Sequence, residues 1–160
     1  MAAALLTLTG VSVLGIAAAI GLAYTATSSV DVSNHVLMGV FGTFLNLLAH
    51  SLMIFYLVGK GKAVREAVAE NALGGDYVAR VRRAHTPVHA RATYAMAATM
   101  TTAIMGASVD TRVMPGWPHA VLAAVAVALN LWAMASEIAA LRTSSGVVDE
   151  VNRRIPGAGE

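Results

Sequence analysis

The stretch VLMGVFGTFLNLLAHSLMIFYLV, residues 36–58, decides the fold. It contains no Lys, Arg, Asp or Glu, and about 20 mostly apolar residues are enough to carry a helix across ~30 Å of hydrocarbon. Three more segments read the same way. Residues 2–26 carry no charge, residues 89–109 carry only Arg91, and residues 120–141 carry only Glu137. The expected fold is an all-α integral membrane protein with four transmembrane helices in one bundle, forming a single domain over residues 1–160.

Composition agrees. Of the 160 residues, 57% are hydrophobic and 12% charged, against roughly 45–50% and 25% in an ordinary soluble domain. So few charges cannot form the polar skin that a soluble core of this size needs. The absence of cysteine excludes a disulfide framework, a thiolate metal site, a covalently attached CxxCH haem and a cysteine nucleophile. Residues 2–26 read as a retained span rather than a signal peptide, because the first Lys or Arg of the chain is Lys60.

The basic residues set the expected orientation. Lys60, Lys62, Arg65, Arg80, Arg82, Arg83 and Arg91 lie in or beside the second connection, and Arg142, Arg153 and Arg154 follow the fourth span. Only Arg112 falls on the other side. By the positive-inside rule the loop 60–84, the tail 142–160 and both termini are cytoplasmic, which places the chain in a bacterial-type inner (cytoplasmic) membrane. The basic balance is thus a topology signal, and no nucleic-acid footprint accompanies it. Within the loop, residues 63–73 read as a short helix broken at Gly74-Gly75. Asp76 is a candidate cap for a further helix that runs through Pro87 into the third span.

Ionisable residues at membrane depth are costly, so each is a candidate for function. His35 and His50 are fifteen residues apart, ~22 Å along a helix, and at about 100° per residue they face nearly the same side. Gly39, Gly42, Thr43 and Asn46 lie between them on that stripe. In the fourth span His119, Ala123, Ala126, Asn130, Met134 and Glu137 share a stripe. Depth sorts the histidines into an outer pair, His35 with His119, and an inner pair, His50 with His89 (or His85). Two axial imidazole pairs at two depths can hold two b-type haems, with Asn46 and Asn130 as orienting polar groups. The arrangement resembles the general plan of the four- and five-helix dihaem anchors of respiratory complexes. That resemblance implies electron transfer linked to a quinol or a partner protein.

Two other readings stand beside it. One is a cofactor-free accessory or scaffold subunit of a larger membrane complex, in which the histidines and an Arg91–Glu137 ion pair fix helix packing. The other uses His50, His89 and Glu137 as a metal ligand set in a membrane enzyme or small transporter. The expected partners are the lipid bilayer and either other membrane subunits or further copies of the chain. The glycines Gly10, Gly15, Gly21 and Gly39, with Thr43, read as helix-packing contacts.

Overall fold

A computed structural model describes residues 1–155. Four helices make up these residues: α1 (Ala2–Thr25), α2 (Ser29–Glu70), α3 (Tyr77–Asp110) and α4 (Gly116–Asn152). The turns between them are short, so sequential helices run antiparallel. α1 packs on α2 and α4 but not on α3, while α2 lies against α3 and α4. By length and composition α1, α2 and α4 are apolar enough to cross a membrane, and α3 is not.

α3 falls short because of its threonines. Thr93, Thr99, Thr101 and Thr102 each donate to the carbonyl four residues back, at 2.8–2.9 Å. These hydroxyls are therefore paired within the helix, and the polarity that hydropathy counts against α3 is satisfied internally.

The helices are longer than the apolar segments they contain. α2 starts at Ser29 instead of near residue 36. The Ser28 hydroxyl accepts the Asp31 N–H at 3.2 Å, and the Asp31 carboxylate accepts the Ser28 N–H at 2.9 Å, which closes a capping box. At its other end α2 continues to Glu70 with no break at the span exit. The break falls at residues 71–76, where Ala72 takes a left-handed φ of 47° and the Leu73 N–H reaches back to the Val68 carbonyl at 3.0 Å. Asp76 occupies the cap position of α3, but its carboxylate accepts Arg83 at 3.0 Å and caps nothing. α4 runs through most of what was expected to be a polar tail. Residues 156–160 of that tail lie outside the described residues.

These extensions divide the bundle along its length. Around the start of α1, Leu5 packs with Met53, Leu57, Val88, Ala140 and Leu141. Beyond it only three helices continue, around Val64, Tyr77, Val81, Val147 and Val151. This three-helix annex carries or adjoins every basic residue except Arg91 and Arg112. Arg80 grips Glu150 through both guanidinium nitrogens, at 2.6 and 2.9 Å. At the opposite end α1 and α2 approach closely where Gly15 meets Gly42. A Cβ on Gly42 would lie 3.3 Å from the Ile16 nitrogen. A Cβ on Gly10, Gly21 or Gly39 would meet nothing within 4 Å, so no neighbouring helix requires a glycine at those three positions.

The Arg80 hydrogen bonds hold the Glu150 carboxyl below its ordinary range, with Arg80's charge adding to them. A depressed carboxylate stabilises the fold above its unfolded-state value of about 4.3 and loses that contribution as pH falls through the folded value. Arg80→Ala is therefore expected to lower the melting temperature at pH 7, with the difference from wild type shrinking towards zero below pH ~3. Thermal unfolding in detergent at several pH values checks this.

Candidate functional site

α2 presents Asn46 and His50 on one face, one turn apart, and α4 presents Asn130 and Glu137, two turns apart. All four are fully buried. They join into one network. Asn130 spends both amide protons on α3 and α4, donating to Thr99 Oγ1 at 3.0 Å and to the Ala126 carbonyl at 2.7 Å. Its Oδ1 therefore accepts, from Asn46 Nδ2 at 2.6 Å and from His50 Nε2 at 2.9 Å. Asn46 Nδ2 also donates to Ser12 Oγ on α1 at 3.3 Å. Ser12 and Thr99 give their own hydroxyl protons to backbone carbonyls, at 2.8 and 2.9 Å. Every hydroxyl and amide orientation is thus fixed by its neighbours. The other His50 nitrogen, Nδ1, lies 2.6 Å from Glu137 Oε1. Among the described residues two buried oxygens keep no partner, Glu137 Oε2 and Asn46 Oδ1.

The outer histidines form a second site. His35 on α2 and His119 on α4 stand with ring centres 6.2 Å apart and ring planes at 82°. Each ring donates Nδ1–H to a backbone carbonyl of a neighbouring helix, His35 to Ala19 at 2.7 Å and His119 to Thr102 at 3.1 Å. Those bonds fix the tautomer and leave the Nε2 lone pair available. Among the described residues neither Nε2 has a hydrogen-bond partner. Gly106 makes the seat for His119, since a Cβ there would lie 3.1 Å from the ring's Cε1. Both histidines line two adjoining cavities of about 130 and 300 Å³. The larger sits at the low end of the range for small-molecule and cofactor pockets, about 300–1,000 Å³. The smaller cavity is walled by Gly39, Thr43, Ala103 and Gly106 and floored by Thr99 and Ala126, the two residues that Asn130 holds.

The inner histidines are not brought together. His50 has both nitrogens engaged, and His89 donates Nδ1–H to the His85 carbonyl at 3.0 Å. The reason is rotational. The buried face of α3 runs through Val81, His85, Val88, Ala92, Ala95 and Thr99, and His89 is one position off it. His85 is on that face and bonds Ser144 Oγ at 2.7 Å. The expected set of His50, His89 and Glu137 does not assemble either. Among the described residues no group of three or more His, Asp or Glu is placed to hold a metal ion.

The expected Arg91–Glu137 ion pair does not form. The Arg91 guanidinium lies over the Trp132 ring, 4.5 Å from its centre. Arg91 is half-buried at the bundle's perimeter, where a planar cation can cover an indole face. Glu137 points inward to His50. Thr9, Ser12, Thr99 and Ser144 joined these networks without having been singled out in the sequence. Their signal was their spacing: Leu5, Thr9, Ser12, Ile16 and Ala19 form the buried stripe of α1.

Truncating Glu137 leaves His50 buried with an unpaired nitrogen, which costs about 1–3 kcal/mol. Arg91→Ala forfeits only a cation–π contact, worth about 0.5–1 kcal/mol at an accessible site. The expected result is a greater stability loss for Glu137→Ala than for Arg91→Ala, read by unfolding in micelles. Comparison of the chain with models of protein families, with curated proteins and with solved structures found no match.

Proposed function

We propose that the protein is a four-span membrane cytochrome subunit that holds one b-type haem between His35 and His119 and passes single electrons. In this reading both termini and the annex are cytoplasmic, as the distribution of basic residues favours, and the haem lies near the outer face of a bacterial-type cytoplasmic membrane. A quinol or a partner membrane subunit supplies or takes the electron.

The observation that carries this is the spacing of the two rings. An imidazole nitrogen binds a transition-metal ion at about 2.0–2.1 Å, so two rings on opposite sides of one ion have their centres roughly 6 Å apart. The 6.2 Å between His35 and His119 meets that requirement. The Nδ1–H bonds to Ala19 and Thr102 favour it further, because each leaves Nε2 as the nitrogen that carries the free lone pair. The lining is mostly small and apolar, which suits a flat macrocycle, and it includes the exposed carboxylate of Asp110. When bound, the haem supplies one-electron chemistry. The protein's part is to fix the two ligands and to shield them.

One haem is proposed rather than two. Of the inner candidates His50 has both nitrogens engaged, by Glu137 and Asn130, and His89 lies one position off the buried face of α3. Those same bonds favour a purely structural role for the inner half, which is what the scaffold reading extends to the whole chain.

The visible spectrum of the protein purified in detergent tests the proposal. A Soret band and a reduced α-band of b-type position are expected, with both lost in His35→Ala and in His119→Ala and kept in His89→Ala. A colourless wild-type protein free of iron would sink the haem reading and leave the scaffold.

A further inference from the structure

The annex sorts its charges by distance from the spans. Contacts across three helices fix one level in it. Gly61 on α2 stands against the His85 ring on α3, where a Cβ would lie 3.6 Å from Nδ1. His85 Nε2 in turn lies 2.7 Å from Ser144 Oγ on α4. Within three residues of these positions along their helices lie Lys60, Lys62, Arg82, Arg83 and Arg142, and no Asp or Glu. Three residues of helix are ~4.5 Å, so the five cations share one thin layer. The acidic residues of the annex are set back from it. Glu66 and Asp149 are five residues away, Glu150 six, and Glu70 and Asp76 nine, which is ~7 Å or more along the helices. All of them lie on the side away from the apolar spans.

The layer coincides with the edge of the apolar outer surface. The large apolar side chains that the protein exposes end at Val58 on α2 and at Trp132 on α4, and they resume at Tyr94 on α3. Among the described residues the annex exposes none. The last apolar layer shared by all four helices, around Leu5, Leu57, Val88 and Leu141, lies one turn to the membrane side. The cations therefore stand where the hydrocarbon-facing surface stops, at the depth of headgroup phosphates.

Their own pairing leaves them open to a ligand. Lys62 meets Glu66 at 3.6 Å and Arg83 meets Asp76 at 3.0 Å, with more than half of each of these side chains exposed. Exposed pairs of this kind are weak and yield to a competing anion. Among the described residues Lys60, Arg82 and Arg142 have no acidic partner. The Lys60 ammonium lies 5.8 Å from the centre of the Tyr56 ring, which holds it at the apolar edge. A solvated surface intersperses both signs of charge. A layer of one sign at the rim of an apolar band fits an anionic surface instead.

We propose that this layer binds the headgroups of anionic phospholipids in the leaflet next to the annex, with Lys60, Arg82 and Arg142 as its main contacts. In the orientation given above that is the cytoplasmic leaflet. The proposal rests on the membrane-spanning reading and not on the haem. It also asks more of these charges than orientation does. Orientation needs only an excess of Lys and Arg in a loop, whereas headgroup binding needs them at one depth with the acids set back. A second copy of the chain has no carboxylate in this layer, so the charges do not select self-association.

Thermal unfolding in micelles of an uncharged detergent tests this, with phosphatidylglycerol, phosphatidylcholine or inorganic phosphate added. Phosphatidylglycerol is expected to raise the melting temperature by binding the folded state, and the other two to leave it unchanged. The rise is expected to vanish in about 1 M salt, where the Debye length is ~3 Å. It is also expected to vanish in Lys60→Gln/Arg82→Gln/Arg142→Gln. Arg65→Gln/Arg153→Gln/Arg154→Gln removes as much charge from farther out and keeps the rise. An equal rise with phosphatidylcholine, or a rise that survives in the first variant, overturns the proposal. A rise with inorganic phosphate assigns the cations to a free anion and overturns it too. If the first variant does not fold, native mass spectrometry of the wild type decides. Preferential retention of phosphatidylglycerol over phosphatidylcholine is expected there, and equal retention overturns the proposal. A chain that stays in solution without detergent overturns the spanning reading, and the lipid site with it.

Discussion

His50 enters the bundle from α2 at a depth with no solvent, and a buried ring N–H without an acceptor costs about as much as a lost hydrogen bond or more. α4 supplies two oxygens seven residues apart, Asn130 Oδ1 and Glu137 Oε1, and the imidazole fits between them. That fit fixes the rotation and axial register of α2 against α4. Through Asn130 it also fixes α3 by way of Thr99, and through Asn46 it fixes α1 by way of Ser12. All four helices meet in one polar knot. In lipid the apolar surfaces give little preference for one packing over another, and polar pairs of this kind choose it.

On either side of the knot the bundle differs. Towards the annex it is filled by Met53, Leu57, Val88 and Leu141. Towards the other end the helices facing each other carry Gly39, Thr43, Ala103, Gly106 and Ala123, and space is left between them. The two histidines in that space are held by backbone carbonyls instead of by each other. Large side chains are not missing from these helices. Leu37, Phe41 and Phe44 point outward from α2 and are highly exposed, so small residues line the inside by position rather than by scarcity.

Much of this was legible in the sequence where a single period decided the matter. The stripe of His119, Ala123, Ala126, Asn130, Met134 and Glu137 follows from 3.6 residues per turn, with Ala123, Ala126, Asn130 and Glu137 buried and His119 and Met134 half-buried. Counting residues along each apolar run gave the depth that brings His35 and His119 together. The same counting misled for Arg91, His89 and Glu137. Equal depth does not give rotation about the helix axis, and His89 is a single position away from the buried face of α3. Thr9, Ser12 and Thr99 were hard to weigh because a hydroxyl on an apolar helix is normally silenced by its own backbone. In these three the hydroxyl does bond its own helix, and the oxygens of Ser12 and Thr99 then accept a second bond from Asn46 and Asn130. The two helical segments of the loop are legible in the sequence, but the continuity of the first with α2 and the run of α4 through the tail are not, because the charges mark span exits while Val147 and Val151 continue the helical spacing.

The orientation of the two outer rings gives the central claim a signature of its own. Imidazole planes at 82° to each other remove the preference between the two in-plane directions of a low-spin ferric iron held between them. The low-temperature electron paramagnetic resonance spectrum of the oxidised protein is therefore expected to show a strongly anisotropic low-spin signal dominated by one large g value. A rhombic low-spin signal of parallel rings, a high-spin signal, or no iron signal at all would contradict a haem held by His35 and His119.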